Sequence, residues 1–108
     1  MQITWDNKKT DSLIKAILAL KNSSEAKRFL RDLLTPEELK EFGNRWLAAQ
    51  MLDKGISYST IRGKTSLSST TIARISKWLY HGKGGYRLMI NRFNKHHHNS
   101  LPVGKGLR

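Results

Sequence analysis

Residues 57–80 read SYSTIRGKTSLSSTTIARISKWLY, and two short helical patterns meet there at a turn. Ile61 opens the pattern and Leu67 follows it. Ile72, Ile75 and Leu79 then fall at i, i+3 and i+7, the spacing of one helix face. Ser68 stands just before the second helix, where a serine hydroxyl accepts from a backbone N–H of the first turn. The opposite face carries Ser69, Thr70, Thr71, Arg74 and Lys77. Hydroxyl and cationic groups of this kind reach base edges and phosphates. A short helix, a tight turn and a second helix with a polar outer face make a helix-turn-helix. The same local pattern also fits an ordinary helical hairpin inside an all-helical core.

Charge separates the two readings. The chain has 108 residues and a net charge of +12, unevenly spread. Residues 1–53 hold nine Lys/Arg and eight Asp/Glu; residues 54–108 hold eleven Lys/Arg and no acid, Asp53 being the last carboxylate. Solubility needs no such bias. A field of one sign over the half that contains the helix-turn-helix is the footprint of a polyanion partner. An anionic membrane would need a broad apolar helix face or a lipidation signal, and neither is evident. Nucleic acid is therefore the expected partner.

Length and composition set the frame. A chain of this size is expected to form one domain. Hydrophobic residues are 38% of it, low for a small chain that hides its own core, so association is an expected supplement. There is no cysteine, which removes disulfides and cysteine–metal sites. The start, MQITWDNKKTD, lacks the apolar run of a signal peptide, and no stretch approaches the length of a membrane span. A cytoplasmic location is the default expectation.

Helix signals run along the rest of the chain. Residues 1–10 read as a partly ordered arm. Asp11 or Ser12 can cap a first helix whose apolar side is Leu13, Ile14, Ile17, Leu18 and Leu20. Asn22 with Glu25 has capping-box spacing before a second helix carrying Ala26, Phe29, Leu30, Leu33 and Leu34. Thr35-Pro36-Glu37-Glu38 is the clearest start: Thr35 as N-cap, Pro36 at the first helical position, Glu38 completing the box. This third helix is expected to run to about Asp53 and to end at Gly55 in a left-handed cap. After Tyr80, His81-Gly82-Lys83-Gly84-Gly85 lacks P-loop spacing and reads as a flexible joint. Tyr86–Phe93 reads as a last short helix. The expected domain is thus residues 1–93, followed by a disordered basic tail over residues 94–108. His96-His97-His98 in that tail make a poor preorganised metal site, and no metal or other cofactor is expected.

No catalytic constellation stands out. The acids precede the basic half, His81 is the one histidine before the tail, and Thr71 and Ser76 have no base–orienter pair nearby in sequence. The expectation is not an enzyme.

The run LLTPEELKEFGNRWLAAQMLDKGISYSTIRGKTSLSSTTIARISKWL resembles the Trp-repressor superfamily, and LYHGKGGYRLMINR resembles its YerC/YecD-type branch. The resemblance covers about residues 11–93. It implies an all-α fold of about six helices and an intertwined homodimer. The two helix-turn-helix units would sit in successive major grooves, as a sequence-specific transcriptional regulator. Expected DNA-binding residues are Arg62, Lys64, Ser68, Ser69, Thr70, Thr71, Arg74 and Lys77. Ser69, Thr70 and Thr71 would face bases, and the cations mostly phosphates. Two positions depart from the common helix-turn-helix pattern: Arg62 follows the first buried aliphatic, where a small residue is usual, and Ser66 holds the turn position often filled by Gly.

The resemblance also marks an amino-acid pocket. Thr35, Arg45 and Arg74 match positions that engage tryptophan in the Trp repressor. Ile75 stands where that protein has almost no side chain, and Trp78 follows on nearly the same helix face. The pocket is expected to be blocked, so that no small-molecule effector acts. A tryptophan-responsive repressor, and a helix-turn-helix module for RNA or a protein partner, are the alternatives.

Overall fold

The computed structural model describes residues 6–100, with side chains over residues 6–95. Six helices follow one another: α1 (Lys8–Leu18), α2 (Ser23–Leu33), α3 (Pro36–Asp53), α4 (Tyr58–Thr65), α5 (Ser69–His81) and α6 (Gly85–Ser100). No strand occurs among the described residues. The chain divides into two compact units, the boundary falling after Lys40.

In the first unit, side-chain caps fix where each helix starts. Asn7 Oδ1 accepts from Thr10 N at 2.9 Å, so α1 begins at Lys8, ahead of the expected Asp11 or Ser12. Asn7 is as good a cap as either. Asp11 then lies in the first turn, where the helix dipole favours an acid. Residues 1–5 of the expected arm lie outside the described residues. In α2, Asn22 Oδ1 accepts from Glu25 N, while Glu25 Oε1 reaches back to Lys21 N, each at 2.9 Å. Thr35 Oγ1 accepts from Glu38 N at 3.1 Å and Glu38 Oε1 accepts from Thr35 N at 3.0 Å, the reciprocal capping box expected there. Neither α1 nor α2 has a buried residue. Leu13, Ile14, Ile17 and Leu18 of α1 and Leu33 of α2 are all exposed.

The second unit is built around a core. α3 contributes Ala48, Ala49, Met51 and Leu52; α4 contributes Ile61; Leu67 comes from the turn; α5 adds Ile72, Ile75 and Leu79; α6 adds Ile90. Ile61, Ile72, Ile75 and Ile90 are the largest fully buried side chains. Each stabilises the fold by about 1.5–3 kcal/mol through removal from water. Trp46, Ile56 and Tyr86 pack against this cluster.

Loop geometry delivers those side chains to the core. At the end of α3, Gly55 N donates to Leu52 O and Ile56 N to Met51 O, with Gly55 at φ +77°. This is a Schellman motif, and the left-handed glycine reverses the chain into α4. Four further contacts tie α3, α5 and α6. Asp53 Oδ1 accepts from Arg87 Nη1 at 2.7 Å, and the Arg87 guanidinium lies over the Tyr80 ring. Tyr80 Oη donates to Leu52 O at 3.3 Å. Trp46 and Phe93 meet edge to face at 5.8 Å.

α6 is longer than the expected Tyr86–Phe93 helix, starting at Gly85 and continuing to Ser100. No glycine or proline intervenes before Pro102, so nothing in the backbone stops the helix at Asn94. The expected tail therefore begins with helical residues as far as Ser100. Residues 101–108, and the side chains of His96, His97 and His98, lie outside what is described.

Candidate nucleic-acid interface

The interface begins at the turn between α4 and α5. Ser57 caps α4 and Ser68 caps α5; their hydroxyls accept from Thr60 N at 3.2 Å and Thr71 N at 3.1 Å. Between the helices, Ser66 adopts φ +61°, the left-handed conformation that the position often gives to glycine. Leu67 then turns inward and is buried.

Thr65 holds this turn, a role absent from the sequence expectations. Its side chain is buried. Oγ1 donates to Ile61 O at 2.8 Å and accepts from Leu67 N at 3.2 Å. One hydroxyl thereby satisfies a helix-terminal carbonyl and a turn amide that water does not reach. The available signal was spacing: Thr65 lies one turn after Ile61, on the buried face.

With Ile72, Ile75 and Leu79 inside, α5 turns Ser69, Thr70, Arg74 and Lys77 to solvent. Thr71 is half-buried, and its Oγ1 accepts from Ser68 Oγ at 3.0 Å. Ser68 and Thr71 are thus engaged with each other at the helix start. On α4, Arg62 and Lys64 are exposed. Arg62 Nη1 donates across the turn to Ser69 Oγ at 3.1 Å. The structure brings Arg62, Ser68, Ser69, Thr70 and Thr71 together around the start of α5. It places Arg74 and Lys77 further along that helix.

The residues of the expected pocket have separate employment. Thr35 lies in the first unit as the cap of α3. Arg45, in the second unit, is half-buried, and its Nε donates to Glu41 Oε2 at 3.1 Å. Arg45 also acts on Tyr86: burial pushes the Tyr86 phenol above its ordinary range, and the nearby guanidinium partly offsets that. The expected common face of Ile75 and Trp78 is divided. Ile75 is 0% exposed within the core, while Trp78 is 43% exposed. Positions three apart differ by about 60° around a helix, and the edge of the buried face passes between these two.

Asp53–Arg87 is a further contact that sequence reading does not give. The signal was the isolation of Asp53, the last acid before a basic half, where a cation on a later helix could meet it. Among the described residues, no cluster of His, Asp or Glu could hold a metal ion. No helix there is long and apolar enough to cross a membrane.

This geometry has known relatives. The family model for the Trp repressor protein matches residues 8–94. Over 85 residues the chain is 35% identical to YerC of Bacillus subtilis (strain 168), itself an uncharacterized protein, covering 79% of this chain and 82% of that one. A TrpR-like protein from Eubacterium eligens superposes with TM-score 0.79 at 32% identity, covering 83% of this chain and 93% of the other. A Staphylococcus aureus protein proposed to be a Trp repressor gives TM-score 0.78 at 30% identity, covering 86% of this chain and 96% of the other. By fold, helix-turn-helix and sequence together, the chain belongs to the Trp repressor family, in the branch of YerC.

Proposed function

We propose that the protein is a sequence-specific DNA-binding transcriptional regulator, acts as a homodimer, and is not an enzyme. The observation that carries this is the outer face of α4–α5. Arg62, Lys64, Ser69, Thr70, Arg74 and Lys77 are exposed there, in a half of the chain that has no carboxylate after Asp53. α5 would enter the major groove with Thr70 against base edges and the cations against phosphates. The exposed apolar side chains of α1 in the first unit, and separately Leu88, Met89 and Phe93 of α6 in the second, would each offer surface to a second copy. A dimer would set the two reading helices on half-sites about 34–36 Å apart.

Free tryptophan would not be the co-repressor. What supports this is that Ile75 puts a β-branched side chain where the resembled pocket has almost none, and that Thr35 has a structural task as a cap.

Selection of genomic duplexes by the purified protein tests the first reading. Recovery of a two-fold symmetric motif supports it, with log affinity falling steeply against log salt. Equal retention of all duplexes, or preference for RNA, would refute it. For the effector, millimolar L-tryptophan should give no saturable heat in calorimetry. It should also leave affinity for the selected duplex unchanged. Tenfold tighter DNA binding with tryptophan would overturn this part.

A further inference from the structure

Three arginines of the second unit, Arg45, Arg62 and Arg87, are held by side-chain contacts, and they are held differently. Arg45 is bonded to Glu41, and Arg87 to Asp53. Both are half-buried, and in both the carboxylate offsets the guanidinium charge. Arg62 is exposed, and its Nη1 donates to a hydroxyl, Ser69 Oγ. A hydroxyl orients a guanidinium without cancelling its charge. The bond crosses the turn, from the last turn of α4 to the first residue of α5. It uses one N–H of Nη1 and leaves the edge formed by Nε and Nη2 open, the edge that grips an anion through two parallel bonds.

We propose that Ser69 is a positioning residue that acts on DNA through Arg62 rather than by touching a base. This rests on the DNA-binding reading of α4–α5. An exposed bond of this kind adds little to the stability of the fold. Its effect is to remove rotamer freedom from a long side chain before DNA arrives, so that less is lost when phosphate is bound. Thr70, the next residue along α5, keeps the base-reading role. Ser69 sets how strongly all duplexes are held, whatever their sequence.

The test is a double-mutant cycle on duplex binding, with Ser69→Ala, Ser69→Thr, Arg62→Ala and the Arg62→Ala/Ser69→Ala pair. Beside it, 15Nε relaxation of Arg62 is measured in the DNA-free protein. Ser69→Ala is expected to weaken selected and random duplexes alike, by about 3- to 10-fold. Ser69→Thr, which keeps the hydroxyl, should restore binding. In the Arg62→Ala background, Ser69→Ala should do nothing further. Arg62 Nε should be ordered in the wild type and mobile in Ser69→Ala. The proposal is overturned by a changed base preference in Ser69→Ala, which would make Ser69 a reader. An undiminished loss in the Arg62→Ala background, or a mobile Arg62 in the wild type, also overturns it. Failure of the parent reading looks different: the wild type itself then binds no duplex, and both proposals fall.

Discussion

Residues 6–40 and residues 41–95 are equally helical and differ in what their helices bury. In the first stretch every helix start is capped by a side chain, yet α1 and α2 bury nothing. In the second, ten apolar residues from four helices and a turn close into one cluster. Local signals make helices in both regions, and a buried core forms in only one. A stripe such as Leu13, Ile14, Ile17 and Leu18 is costly to keep in water. The difference is what an associating chain would have: one region that folds on itself and one that awaits a partner surface.

The largest effect should come from the packed region. Ile72 is fully buried between α5 and the rest of the core. Ile72→Ala removes its apolar surface and leaves a cavity, so urea unfolding should show a loss of about 2–5 kcal/mol. A loss under about 1 kcal/mol would mean that the core is looser than its burial implies, and the contrast between the regions would weaken.

The next measurement bears on the unburied region. If α1 meets a second copy, the unfolding midpoint of the wild type rises with protein concentration. Ile14→Asp with Ile17→Asp should abolish that rise and cost about 2–4 kcal/mol at concentrations far above the dissociation constant. In a chain whose α1 meets nothing, the same pair would change little, since both side chains are already exposed. A wild-type midpoint that does not move with concentration would sink the dimer.

Much of this is legible in sequence, and what is not has several physical causes. Thr35, Asn22, Ser68 and Gly55 announce helix ends because capping is a matter of residues within one turn. The outer face of α5 follows from period alone. The start of α1 was misplaced because Asn7 is as good a cap as Asp11, and Lys8 and Lys9 carry no apolar period. α6 outruns its expected end at Phe93 because polar composition alone does not end a helix. At the candidate site, Arg62–Ser69 and Asp53–Arg87 escaped notice. They join residues 7 and 34 positions apart, which only the folded chain brings together. The division between Ile75 and Trp78 depends on where the core edge falls, which a helical wheel leaves open.

A smaller effect tests the turn. Thr65→Val keeps the shape of the side chain and removes its hydroxyl. Leu67 N, buried beside it, then loses its acceptor, and Ile61 O loses a donor. The expected loss is about 1–3 kcal/mol, the penalty for leaving such a group unpaired away from water. Thermal unfolding of Thr65→Val beside Thr65→Ser separates this from packing. The serine keeps the oxygen, so it should recover most of the loss; if it fares no better than valine, the bonds are not what holds the turn.

The smallest predicted effect is a gain. Two helices of the second region end in the left-handed conformation, and they fill it with different residues. α3 ends at Gly55, φ +77°, and α4 ends at Ser66, φ +61°. A side chain in that conformation meets its own backbone, at a penalty of about 1–2 kcal/mol that glycine avoids. Glycine is freer in the unfolded chain, which takes back part of the benefit. Ser66 is exposed, and its side chain makes no hydrogen bond that glycine would lose. Ser66→Gly should therefore raise stability by about 0.5–1 kcal/mol in urea unfolding. Gly55→Ala is the mirror experiment. Space for a Cβ exists at Gly55, so its loss, of about 1–2 kcal/mol, would report the backbone conformation alone. Opposite signs in the two variants would show that the same left-handed bend closes both helices. A destabilised Ser66→Gly would mean that the serine contributes to the turn beyond its backbone angles, and the parallel between the two helix ends would fail.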